Sequence, residues 1–103
     1  MLTSKQRSQL RGLAAAENTV LQIGKAGITE NVITQTREAL QARELVKGRV
    51  LENSMLTARE ACDALAEACG AEGVQVIGSK FVLFKQNEKA PKIVLVKERG
   101  RKK

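Results

Sequence analysis

Val20-Leu21-Gln22-Ile23-Gly24-Lys25-Ala26-Gly27-Ile28-Thr29 decides how the rest of the chain is read. A short apolar run stops at Gly24-Lys25-Ala26-Gly27, and a helix signal begins at Thr29. Strand, Gly-x-x-Gly and helix start, in that order, build a small cradle of backbone N–H groups with a lysine at its lip. Glycine has no Cβ, so its backbone can approach a ligand closely. A helix start adds unpaired N–H groups and a partial positive charge, which favour an anion. Phosphate is the anion this arrangement suits best.

Working outward from this stretch, the apolar spacing predicts a helix from Thr29 to about Arg43, with Ile28, Val32, Ile33, Thr36, Ala39 and Leu40 on one stripe. Upstream, Thr3 and Gln6 have capping-box spacing and open a helix to about Ala16. Leu10, Leu13 and Ala14 are expected to face inward there, with Arg7 and Arg11 one turn apart on the flank. Downstream, Leu45–Leu51 reads as a strand whose period of two sets Lys47 and Arg49 on one face and Val46 and Val50 on the other. Thr57 and Glu60 cap a third helix that buries Ala58, Ala61, Cys62, Leu65, Ala66 and Cys69 and stops at Gly70.

Val74–Ile77 and Lys80–Lys85 flank Gly78-Ser79, a two-residue hairpin signal. A last strand is expected at Lys92–Lys97, and Glu98–Lys103 reads as a disordered basic tail. The fold class is therefore α/β. A single compact domain over residues 1–97 is expected, with helices packed on a mixed four-stranded sheet. Its order is α-β-α-β-α-β-β, with a possible further strand.

At 103 residues the chain is one domain. Its formal charge of +7 points to a polyanionic partner, since Lys and Arg bound to phosphates release counterions. The charge is uneven. Residues 51–77 hold only Arg59 against Glu52, Glu60, Asp63, Glu67 and Glu72, so the basic surface must come from the remainder. No apolar run approaches the ~20 residues of a membrane span, and the N-terminus lacks a signal-peptide core, so a cytoplasmic location is expected.

The chain has no His, and Asp63 is its only Asp, which removes His-based triads and His-dependent metal motifs. Cys62 and Cys69 lie seven apart on one predicted helix, roughly 10 Å along its axis, too far for a disulfide between them. They read as small core residues. No catalytic constellation, cofactor or metal is indicated. A second Gly-x-x-Gly, Gly70-Ala71-Glu72-Gly73, falls at a helix C-terminus with a carboxylate inside and would repel phosphate. In the first copy, Glu30 complements the helix dipole and lowers the local potential for phosphate. Phe81 and Phe84, the only aromatics, are opposite or skewed neighbours in the hairpin alternation and read as core residues, so no stacking platform for bases is expected.

Five blocks occur in the order found in the CRM domain (chloroplast RNA splicing and ribosome maturation): Thr3-Ser4-Lys5-Gln6-Arg7, Ile23–Thr29, Ala42-Arg43-Glu44-Leu45-Val46-Lys47, Val74-Gln75-Val76-Ile77-Gly78 and Leu83-Phe84-Lys85. The chain resembles this family, in particular its small YhbY-like bacterial members, over about residues 2–97. The resemblance implies a fold similar to the C-terminal domain of a bacterial translation initiation factor. It also implies association with the ribosomal RNA of large-subunit precursors and a role in ribosome assembly. Where the family often carries Tyr-Arg this chain has Phe84-Lys85, which removes a phenolic hydroxyl and a guanidinium fork.

The expected RNA-binding residues are Gly24, Lys25, Ala26, Gly27 and Thr29, with Lys5, Arg7, Arg11, Lys47, Arg49 and Lys85 extending the contact along the RNA backbone. A plain tight turn at Gly24–Gly27, and solvated charges on helix and sheet faces, are the structural alternatives. A monomer without small-molecule substrate or membrane contact is expected. Two other functional readings stand beside this one: a DNA- or nucleoid-binding module, and a protein-interaction domain working through the acidic third helix.

Overall fold

A computed structural model of the chain describes residues 2–87 and Ile93. Seven elements follow one another: α1 (Ser4–Ala15), β1 (Thr19–Ile23), α2 (Glu30–Arg43), β2 (Leu45–Val50), α3 (Ala58–Cys69), β3 (Glu72–Ile77) and β4 (Lys80–Phe84). The expected last strand at 92–97 and the basic tail at 98–103 lie outside the described residues, Ile93 excepted.

Local signals account for the helix ends. Thr3 and Thr57 each accept from the backbone amide three residues on, while the Gln6 and Glu60 side chains accept from the Thr3 and Thr57 amides in return. Gly70 closes α3 in the left-handed region at φ 66°. The end of α2 carries no glycine. Glu44 takes φ 65° there instead, fully buried, donating its amide to Leu40 O and accepting from Lys85 N on its carbonyl. Its carboxylate accepts the backbone amides of Asn87 and Ile93, both at 2.6 Å. One acidic side chain thus binds the segment that follows β4 to the turn that precedes β2.

The sheet runs β1-β2-β4-β3, with β1 and β2 parallel across the α2 crossover and the other pairs antiparallel. Its two faces are covered unequally. Leu21, Ile23, Val46, Val50, Phe81 and Leu83 pack against α2 and α3. The opposite face sets Leu45, Val74, Val82 and Phe84 under α1 alone, through Leu10 and Ala14. A single helix on a sheet buries a narrow stripe, and this corrects one expectation: Leu13 lies beside that stripe and is 42% exposed. Ala66, expected in the core, is half-buried. Among the described residues no helix is long and apolar enough to cross a membrane.

Gly48 sits between Val46 and Val50 on the α2/α3 face and pairs with Phe81 across the β2–β4 ladder. The ring lies directly over its Cα: a Cβ there would fall 2.3 Å from Phe81 Cζ. This close approach fixes the ring and leaves Lys47 and Arg49 pointing out of the other face.

Candidate nucleic-acid interface

The Gly24–Gly27 turn is closed by the Gly27 amide donating to Gly24 O at 3.0 Å, with Gly27 at φ 72°. One amide of the expected cradle is therefore spent inside the turn. Those of Lys25 and Ala26 find no acceptor among the described residues, and both residues are exposed. Thr29 is the N-cap of α2 and accepts from Val32 N at 3.2 Å, while its carbonyl accepts from Ile33 N. This leaves the amides of Glu30 and Asn31 at the open helix start, where the macrodipole is positive. The 51–56 loop supports the turn from behind. A Cβ on Gly24 would stand 3.8 Å from Leu51 Cδ1 and one on Gly27 3.7 Å from Leu56 Cδ1, ordinary contact distances.

Sheet register decides which cations join this turn. Lys47 faces Val82, and Arg49 faces Lys80, across β2–β4; Gln75 faces Val82, and Ile77 faces Lys80, across β3–β4. Both rows lie on the α1 face: Val82 is buried under the end of α1 with Lys47 and Gln75 half-buried on either side, while Arg49, Lys80 and Ile77 lie beyond it and are exposed. Arg11, on the last turns of α1, stands with Lys47 and Lys80 around one depression. Arg49 and Lys80 also lie at the sheet end where β1 runs into the Gly24–Gly27 turn, since Ile23 pairs with Val50 and the Leu51 amide donates to Ile23 O. Thus Lys25, Arg49 and Lys80 share one end of the molecule, with Arg11 and Lys47 a short step along the face. Lys80 was not among the residues expected from sequence. Its face depends on β4 pairing with β2, which a hairpin motif does not disclose.

Other expected residues are placed elsewhere. Arg7 is half-buried and donates to Gly73 O at 2.7 Å, so it ties α1 to β3. Lys5 is exposed at the far end of α1 from the turn. Lys85 stands at the opposite end of β4 from Lys80 and donates to Cys69 O at 3.0 Å; Arg37 similarly reaches Ala68 O at 3.1 Å. Together these two cations meet the negative end of α3, the favourable sign there. Lys47 plays a weaker version of this part, with Nζ 3.4 Å from Ala14 O near the end of α1.

Glu60, Asp63 and Glu67 are exposed on α3, which packs on the other side of the sheet from Lys47 and Arg49. Cys62 and Cys69 are buried thiols. Burial pushes the Cys62 thiol pKa up, helped by Asp63 and opposed by Arg59. Burial raises that of Cys69 too, against Arg37 and Lys85. Phe81 and Phe84 are buried on opposite sheet faces. Among the described residues no group of three or more Cys, Asp or Glu side chains could hold a metal ion.

Comparison with known proteins agrees with this architecture. The CRS1 / YhbY (CRM) domain family matches residues 2–85. The chain is 39% identical over 95 residues to the probable RNA-binding protein YqeI of Bacillus subtilis, covering 92% of this chain and 99% of that one. It is 35% identical over 89 residues to an RNA-binding protein of Haemophilus influenzae, covering 86% and 90%. The solution structure of Staphylococcus aureus SAV1595, described as a candidate RNA-binding protein, superimposes with a TM-score of 0.77 at 43% identity. That match spans 93% of this chain and all of that one.

Proposed function

The chain belongs to the CRS1 / YhbY (CRM) domain family, and from that premise we propose that it binds the ribosomal RNA of large-subunit precursors and assists their assembly. The observation that carries the reading is the convergence of Lys25, Arg49 and Lys80 with unsatisfied amides at one end of the sheet. The names of its relatives as RNA-binding proteins support RNA as the polyanion.

Binding is electrostatic in this mechanism. A backbone phosphate sits against the amides of Lys25 and Ala26 and the open start of α2, with Lys25 supplying the full charge. Arg49, Lys47 and Arg11 then neutralise successive phosphates along the α1 face, each releasing counterions. Lys5, Arg7 and Lys85 stand away from this track and add long-range attraction only. The protein acts as a cytoplasmic monomer, without chemistry of its own.

The test is sedimentation of a lysate through sucrose at low and high salt, comparing the native chain with Lys25→Glu. Comigration with large-subunit precursors at low salt, lost at high salt and weakened by Lys25→Glu, is the expected outcome. Lys25 is preferred to Gly27 as the site of change, because a side chain at φ 72° strains the turn itself. A native protein that remains at the top of the gradient at both salts refutes the assignment. Loss of comigration on reversing Glu60, Asp63 and Glu67, with Lys25→Glu unaffected, would instead support docking through α3.

A further inference from the structure

Beyond the turn and its phosphate, the open part of the α1 face contains a depression of about 390 Å³, bounded by Arg11, Ala14, Ala15, Lys47, Gln75, Ile77, Lys80 and Val82. That volume is within the ~300–1,000 Å³ of small-molecule sites. Two features make it different from a plain basic surface. Its floor and wall are aliphatic, and Ile77 is 63% exposed on the edge strand β3. Ala14 and Ala15 supply the missing volume, because their short side chains end α1 without filling the space beside it. Around this apolar patch stand Arg11, Lys47 and Lys80, with Arg49 next to Lys80 in the ladder, and no carboxylate lines it.

Cations alone would suit any phosphate backbone. An apolar floor gains nothing from a phosphate, and a duplex presents its bases stacked and its rim as phosphate and sugar. The combination fits a ligand with a flat apolar face at one end and an anion at the other. Gln75, beside Val82, offers an amide donor and acceptor in the same depression, the pair of functions that reads a base edge.

We propose that this depression seats one unpaired nucleotide of the bound RNA, its base against Ile77 and Ala15 and its phosphate toward Arg11, Arg49 and Lys80. The proposal rests on the RNA-binding reading above and deepens it: the protein docks where a splayed nucleotide adjoins the phosphate held at the Gly24–Gly27 turn. Lys47, through its contact with Ala14 O, offsets the negative end of α1 that would otherwise face the incoming phosphate.

The experiment is a backbone-amide NMR titration of the full chain with short single strands of uridylate, adenylate or cytidylate. Parallel arms use a blunt RNA duplex and the free mononucleotides. At least one single strand is expected to shift the amides of Ala15, Gln75 and Ile77, whereas the duplex shifts those around Lys25 to Asn31 and along Arg49, Lys47 and Arg11 but leaves Gln75 and Ile77 unmoved. Ile77→Asn, uncharged and at an exposed position, should weaken that single-strand binding by about tenfold and leave the duplex response intact. Lys25→Glu should weaken single strand and duplex alike, because both place a phosphate at the turn. Single strands that leave Gln75 and Ile77 unperturbed, or a duplex that perturbs these two equally, overturn the nucleotide seat while the phosphate track survives. A free mononucleotide bound as tightly as the same residue within a strand also overturns it, in favour of a small-molecule site. No shift with any RNA defeats both readings together.

Discussion

Gly48→Ala is expected to destabilise this fold although it replaces glycine in a strand. The Cβ would lie 2.3, 2.7 and 2.9 Å from Cζ, Cε1 and Cε2 of Phe81. Carbon atoms rest at about 3.5–4.0 Å, so the ring must retreat by more than about 1 Å. It has no space to do so, being 1% exposed in a core shared with Val46 and Leu83. Overpacking of this kind costs about 1–3 kcal/mol, and the trapped ring places the case near ~3. Alanine recovers about 0.5–1 kcal/mol of the backbone entropy that glycine loses in a strand. The net loss is about 2 kcal/mol, or roughly 8–16 °C in Tm for a domain of this size. Thermal unfolding followed by far-UV circular dichroism reads it directly. An unchanged or raised Tm would refute the reasoning, because entropy alone predicts a rise. Phe81→Leu in the same background removes the opposing ring atoms, so the two changes should couple by about 1 kcal/mol or more. Simple additivity would refute the contact as the cause.

Further expectations concern the other unusual positions. Glu44→Gln keeps one acceptor oxygen where two backbone amides now donate, at a cost of about 1–3 kcal/mol, measured by urea unfolding. Hydrogen exchange at Asn87 and Ile93 should accelerate beyond the global change, and protection equal to the native protein's would count against the clamp. Gly12→Ala, in an exposed stretch of α1 with open space around its Cβ, should stabilise by about 0.5–1 kcal/mol. For Cys62 and Cys69, burial favours the neutral thiol. Because the folded pKa is the higher one, their contribution to stability is full below the ordinary thiol range and is lost as pH rises through and above it. Both should resist a thiol reagent at neutral pH until the protein unfolds, and rapid labelling of the native state would contradict their placement.

Much of the fold was legible because local chemistry sets it. Thr3 with Gln6 and Thr57 with Glu60 satisfy helix-start amides from three residues away, and Gly70 and Gly78-Ser79 supply the positive-φ or turn positions that end α3 and join β3 to β4. The candidate site was only half legible. Gly24–Gly27 is a contiguous motif and announced itself, as did the shared face of Lys47 and Arg49, which strand periodicity dictates. Arg7 and Lys85 resembled free cations because their acceptors, Gly73 O and Cys69 O, lie 66 and 16 residues away. The role of Glu44 was not legible, because its clamp on Asn87 and Ile93 spans more than forty residues.

By itself, then, the sequence determined the element order, the helix starts and the uneven charge along the chain, since each depends on residues within a few positions of one another. Only the tertiary structure decided that β4 lies between β2 and β3, and that one helix covers one sheet face while two cover the other. That unequal cover leaves Arg49, Lys80 and Ile77 bare beside the end of α1. The reason is that strand order and layer assignment are settled by long-range burial. Phe81 packing on Gly48 and Leu10 on the α1 face compete with other pairings through total buried area, a quantity no local pattern contains.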